Sequence, residues 1–462
     1  MIRLLASSSG GAPPVWTVTP FALFILAIAI LPLFFPHFWE KNRNKLLVAL
    51  AAMLPVLLYL ATAEHGLRMF VTTLEEYAAF IALLAGLFII SGGIWIRGSL
   101  AGTPVVNTGF LGLGAILASV IGTTGASMLL LRPLLRANEK RMKKVHIVIF
   151  FIFIVSNAGG LLTPLGDPPL FLGFLRRVPF LWTLKLLAPW ALVNGALLVI
   201  FNIVDQVVLN KEEREREGSQ LEEVQKIKEP IRIEGGLNFL WLLGVLGINS
   251  GFGYLARRQG WSDHVQKLAL VLGMSAMAGL SLATTSREIR RSNKFTWGPI
   301  VEVAVLFIGI FVTMAPATLL LEEMGKSGAI RMTRPWEFFW GAGGLSSFLD
   351  NAPTYVTFAA LACGRVGALH GLTIDPSDLG ALLQYPDGVL LLEAVSCGSV
   401  FMGANTYIGN GPNFMVKAIA EENQVRMPSF FGYMLWALGV LIPLFILVTF
   451  LFFVGPQSGG PV

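Results

Sequence analysis

The stretch LLTPLGDPPLFLGF, Leu161 to Phe174, lies between two apolar segments and carries three prolines, two glycines and an aspartate. Prolines at 164, 168 and 169 remove amide donors and clash with preceding carbonyls, while Gly166 tolerates backbone angles that other residues avoid. A helix entering this stretch must unwind. Unwound backbone is tolerated in hydrocarbon only where its polar groups meet protein, water or ions, so the stretch is expected to line a cavity. Half-helix C-termini attract cations, half-helix N-termini attract anions, and Asp167 adds a carboxylate. The plainer alternative is a proline kink with Asp167 capping the next helix, but an ionisable residue inside a membrane is a functional candidate by default.

Composition puts the stretch inside a membrane. The 462 residues are 55% hydrophobic and 13% charged, with a mean hydropathy of +0.69, whereas an ordinary soluble domain is about 25% charged. Apolar stretches near 18–36, 45–62, 77–96, 145–182 (interrupted), 187–209, 237–256, 265–284, 298–321, 388–423 (interrupted) and 430–454 predict ten crossings. Two more, 104–136 and 336–370, have polar centres and suit re-entrant hairpins. The fold class expected is an all-α polytopic membrane protein, since the alternating segments of a β-barrel are missing. MIRLLASSSGGAPP has one basic residue and no adequate apolar region, so the first span is expected to be retained. Cys363 and Cys397 have no metal-ligand spacing, and the five histidines fall near span ends. No cofactor is expected.

Lysine and arginine set an expected orientation. Placing the 37–45 loop in the cytoplasm puts 22 of the 34 Lys and Arg on that side, which predicts non-cytoplasmic termini in the cell's inner (plasma) membrane. The run RPLLRANEKRMKK, Arg132 to Lys144, is the strongest element of that bias and reads as a topogenic loop rather than a nucleic-acid patch. A net charge of +6 calls for no acidic partner.

The charged stretch 210–236 reads as a partly helical cytoplasmic linker between 1–209 and 237–462. Each half has the same order of elements: three spans, a hairpin, an interrupted span and a final span. Five crossings invert the second half relative to the first, the plan of inverted-repeat secondary transporters. GLLTPLGDPP (160–169) and GANTYIGNGP (403–412) agree without gaps at Gly160/Gly403, Thr163/Thr406, Gly166/Gly409 and Pro169/Pro412, with Asp167 facing Asn410 in the alignment. An amide at 167 is therefore expected to be tolerated better than one at 350. GGLSSFLDNAPTYVTF (343–358) centres on Asp350 and Asn351, with Ser346, Ser347 and Thr354 nearby as hard oxygen ligands. The first hairpin's tip, SVIGTTGAS (119–127), offers Thr123, Thr124 and Ser127 but no acid. Asp167, Asp350, Asn157, Thr163, Asn351, Asn405 and Thr406 are expected to line one space between the four breaks.

SNAGGLLTPLGDPP (156–169) and SSFLDNAPT (346–354) resemble segments of the D-type sodium/proton antiporters of the ion transporter superfamily, which also holds arsenite, citrate and dicarboxylate carriers. The resemblance implies a homodimer, elevator-type alternating access, exchange of Na⁺ or Li⁺ for H⁺, and ion-binding roles for Asn157, Asp167, Asp350 and Asn351. Asp167, Asp350 and Asn351 would form the metal-ion set, with Na⁺ as cargo. The first hairpin departs from the antiporter pattern, having Gly122, Thr123 and Thr124 where an Asp-Asn pair belongs. That leaves open a cation-coupled citrate or dicarboxylate transporter. Anion carriers of the superfamily tend to show a Ser-Asn-Thr triplet in each half; here Ser156-Asn157-Ala158 and Ala404-Asn405-Thr406 each lack one member. An enzyme is not expected, because an intramembrane aspartyl protease would need Gly-x-Gly-Asp and has Pro164 in the way. Glu393 is either a proton relay or a vestibule residue.

Overall fold

In a computed structural model the chain is described over residues 13–63, 66–97, 102–214, 232–259, 261–326, 332–349, 351–376 and 378–454. It is an all-α polytopic membrane protein: among the described residues, ten helical stretches are long and apolar enough to cross a bilayer. Nine coincide with the expected spans. The tenth is Pro104–Ile121, which runs unbroken for 18 residues; the helix Leu237–Gln259 covers the remaining expected span, 237–256, and its described apolar part is Leu237–Ile248.

The first half contains α1 (Thr19–Phe34), α2 (Pro36–Trp39), α3 (Asn42–Thr62), α4 (Gly66–Gly92), α5 (Pro104–Ile121), α6 (Thr123–Ala137), α7 (Val145–Ile154), α8 (Pro168–Leu175) and α9 (Leu187–Arg214). The second contains α10 (Leu237–Gln259), α11 (Asp263–Thr284), α12 (Arg287–Ser292), α13 (Gly298–Lys326), α14 (Pro335–Ser346), α15 (Asn351–His370), α16 (Pro386–Met402), α17 (Gly411–Glu422) and α18 (Phe430–Val448). Most of the expected linker lies outside the described residues. Its flanks continue α9 to Arg214 and form a strand, Arg232–Glu234, antiparallel to Trp95–Arg97.

Length decides which helices stop inside the membrane. At 1.5 Å per residue α6, α14 and α17 span roughly 18–22 Å and α7 and α8 roughly 12–15 Å, all short of the ~30 Å hydrocarbon core. α5 and α6 meet at Gly122, whose φ of 83° lets the chain reverse without an intervening loop. α7 is apolar on every side, VHIVIFFIFI, and therefore sits at the centre: the Val145–Leu162 window is 89% buried, against 17% for the peripheral α11 window. α14 packs chiefly on α16 and α15 on α16, α5 on α6 and α9, while α13 bridges α3, α4 and α17.

Two buried polar links brace the bundle. Lys45 of α3 reaches Glu302 of α13 at 2.6 Å. At the base of the first hairpin, Asp205 of α9 accepts from Arg141 Nη2 and His146 Nε2, both at 2.8 Å, and from Asn107 Nδ2 at 2.8 Å, while Glu212 takes Arg141 Nε at 2.8 Å. Every member of this second cluster is buried, so each of its carboxylates is matched by donors, as buried charge requires.

Candidate functional site

α7 ends at Ile154 and the chain continues as a short 3₁₀ turn, Ala158–Leu162, before an extended Thr163 and α8. α16 ends at Met402, followed by the 3₁₀ turn Gly403–Asn405, an extended Thr406 and α17. The two interruptions adopt the same backbone. Asp167 has φ −147°, ψ 143° and Asn410 has φ −147°, ψ 141°; Thr163 has −141°, 157° and Thr406 has −136°, 167°.

Each identity between the decapeptides has a geometric cause. The chain passes over itself six residues on, so a methyl group on Gly166 would overlap Gly160 O, and one on Gly409 would approach Gly403 O to 2.6 Å. Thr163 Oγ1 donates to Ser119 O of the first hairpin and accepts from Leu165 N at 3.1 Å. Thr406 Oγ1 donates to Ser347 O of the second and accepts from Ile408 N at 3.2 Å and Gly409 N at 3.1 Å. Pro169 and Pro412 occupy the first turns of α8 and α17, where no amide donor is needed.

The freed carbonyls find protein donors. Gly159 O accepts from Ser119 Oγ and Trp190 Nε1, and Ala158 O from Asn194 Nδ2 at 3.3 Å. In the second half Ala404 O accepts from Tyr433 OH, Gly403 O from Asn413 Nδ2 and Met402 O from Ser347 Oγ. The Trp190 indole of α9 thus supports the break.

Asp167 stands where these elements converge, with 1% of its surface exposed. Its carboxylate accepts from Thr123 Oγ1 at 3.2 Å, Asn351 Nδ2 at 2.6 Å and Asn410 Nδ2 at 3.4 Å. Those donors come from the first hairpin, the second hairpin and the second break. Asn157 joins the halves: its amide donates to Asn413 Oδ1 and Ile152 O, both at 2.8 Å, and its oxygen accepts from Asn410 Nδ2 at 3.2 Å. Ser156 Oγ meets Ser127 Oγ at 2.8 Å, and Ser156 O accepts from Asn410 at 3.0 Å.

Asp167, Asn351, Asn410, Asn157 and Ser156 are therefore neighbours. Thr163 and Thr406 hold hairpin backbone, and Asn405 donates to Ser347 Oγ at 3.0 Å. Thr123 rather than the half-buried Thr124 touches Asp167. Asp350 lies outside the described residues. Glu393 is half-buried on α16. Asn413 and Ser119 went unnoticed in the sequence; for Asn413 the available signal was a third amide three residues after Asn410 at the start of a buried half-helix. Two amide oxygens in this region, Asn351 Oδ1 and Asn405 Oδ1, are buried without a hydrogen-bond partner among the described residues, a costly state for a polar atom. With Asp167 they offer hard oxygen atoms of the kind that coordinate Na⁺.

No curated protein matches the chain. A family profile described as "Putative citrate transport" matches residues 10–453. A multi-pass membrane chain with paired helix breaks fits a transport family, and this chain belongs to the one so described.

Proposed function

We propose that the protein is a secondary transporter that carries a citrate-like carboxylate together with a cation, with the cation bound at Asp167 and Asn351. The observation that supports this most is the buried Asp167 beside an Asn351 amide whose oxygen has no partner. The Asn351 nitrogen now donates to Asp167; half a turn of the amide would present its oxygen to a cation held by the carboxylate. Occupancy by the cation removes the uncompensated charge, and the neutral site is the one that can cross hydrocarbon at low cost. The substrate class comes from the family to which the chain belongs. An inverted repeat, with 1–209 and 237–462 as its halves, is supported by the matched dihedral angles of the two breaks. Elevator-type movement, a homodimer, an inner-membrane location and non-cytoplasmic termini belong to the same proposal.

A second reading, exchange of Na⁺ or Li⁺ for H⁺, is favoured by one feature. Residues 156–169 and 403–413 contain no Lys, Arg or His to neutralise a carboxylate, and only Asp167 carries charge there. Proteoliposomes separate the two. Uptake of labelled citrate or dicarboxylate that requires an inward Na⁺ or H⁺ gradient is expected; Na⁺-induced proton efflux with no carboxylate uptake would replace the first reading by the second. Neither activity in correctly folded vesicles would reject both.

A further inference from the structure

A second charged cluster lies away from the breaks, where α6, α4 and the short α12 come together. Arg132 of α6 is 5% exposed, and its Nη1 donates to Ser91 Oγ at 3.2 Å. Its guanidinium stands 4.6 Å from the ring centre of Phe88 and 5.8 Å from that of Phe295. Arg290 of α12 approaches the same Phe295 ring, at 5.2 Å. Arg290 donates to Ile89 O at 2.8 Å, to Ser281 O at 3.0 Å and to Ser281 Oγ at 2.9 Å, while its Nε is buried without a partner among the described residues. One turn further along α6, Arg136 Nη2 reaches Asn293 Oδ1 at 3.2 Å.

The charges here do not balance. Neither Arg132 nor Arg290 forms an ion pair among the described residues, and the one acidic charge acting on Arg132 is that of Glu422 at the end of α17. The nearby Lys294 and Glu139 are engaged with each other at 2.7 Å, which holds the Glu139 carboxyl below the usual range. Aromatic faces, two serine hydroxyls and two backbone carbonyls offset only part of the cost of removing the guanidinium groups of Arg132 and Arg290 from water, and the arginines repel one another. An anion between them would satisfy the remaining donors, and arginine's planar fork matches a phosphate group best.

The surroundings indicate where the phosphate would come from. Trp297 is half-exposed and packs edge-on against Phe295, with ring centres 5.3 Å apart, and tryptophan in such a place marks the level of lipid headgroups. The cluster lies among the basic 132–144 and 286–294 segments, and basic pockets between helices at this depth take anionic headgroups.

We infer that Arg132 and Arg290 form a phosphate-binding site between α6 and α12 that is filled by the headgroup of an anionic lipid. The site stands apart from the transport reading and is testable without it. The full-length protein is placed in phosphatidylcholine nanodiscs, with or without inorganic phosphate, and in nanodiscs containing phosphatidylglycerol. Two signals are followed: the Trp297 emission, taken as the difference from Trp297→Phe, and the thermal unfolding midpoint. Phosphatidylglycerol should shift the emission and raise the midpoint by a few degrees. Both responses should vanish in Arg290→Gln, whose half-buried position spares the core, and persist in Arg290→Lys. The same saturable response to inorganic phosphate in phosphatidylcholine would keep the phosphate site and overturn the lipid source. No response to either, or an undiminished response in Arg290→Gln, would overturn the site itself.

Discussion

At the first break the chain leaves α7, turns through Ala158–Leu162 and re-enters a helix after an extended Asp167; at the second it leaves α16, turns through Gly403–Asn405 and re-enters after an extended Asn410. The corresponding dihedral angles agree within about ten degrees, and both segments tie a threonine hydroxyl to the carbonyl of a hairpin serine. Yet one carries a carboxylate and the other an amide that donates to it. All four identical positions are occupied by residues that set the backbone. The chemistry sits at a position where the copies differ. Two segments of one backbone form can thus meet asymmetrically, one supplying a charge and the other a donor to it.

The largest expected effect comes from erasing that difference. Asp167→Asn should reduce cation-dependent transport at least about 100-fold, since hydrogen bonds to a charged group contribute about 1.5–3 kcal/mol each. The fold should survive, because Asn351 can turn its unpartnered oxygen toward the new amide. Sequence alone, with Asn410 as precedent, predicts better tolerance of an amide here than at 350. Near-normal transport by the variant would mean that the asymmetry is incidental.

Next come the glycines, where the breaks should behave alike. Gly166→Ala and Gly409→Ala each press a methyl group onto a carbonyl of the same break, for a loss of about 3 kcal/mol. Thermal melts of the purified proteins should fall together. A neutral result in only one would show that the frames are not equivalent.

Asn410→Asp is expected to cost about 2 kcal/mol: it removes donors from Ser156 O and Asn157 Oδ1 and sets a second carboxylate beside Asp167. Combining it with Asp167→Asn moves the charge from one break to the other. Recovered transport in the double variant would make the two positions interchangeable, and none would mean that Thr123 and Asn351 serve only a charge at 167. The smallest effect belongs to Thr163→Val and Thr406→Val, about 1–2 kcal/mol each, since each loses the bond to a hairpin serine carbonyl and the bonds its hydroxyl accepts from backbone amides of its own break. Equal drops in melting temperature would extend the comparison to the hairpin contacts.

The spans were readable because each is a long apolar run, and the breaks because proline and glycine forbid a helix at 164–169. Assigning 104–136 to a hairpin rested on its polar centre, and the reversal falls at Gly122. Side-chain partnerships were less readable. Thr123 and Thr124 are indistinguishable in sequence, and only the direction in which α6 leaves Gly122 selects the first. The role of Asn413 depends on α17 packing close to the 3₁₀ turn of its own half and to Asn157 of the other, which no local pattern encodes. The pairing of Trp95–Arg97 with Arg232–Glu234 likewise joins two short polar segments with no strand periodicity of their own.

The donors of Asp167 also impose a schedule on synthesis. Thr123 precedes it in the chain, but Asn351 follows 184 residues later. At 5–20 residues per second that interval is roughly 10–40 s. Throughout it the first half exists with its carboxylate short of two amide partners, and Asn157 waits still longer for Asn413, 256 residues away. A buried carboxylate short of its donors is costly, and the first break is completed only when the second half arrives.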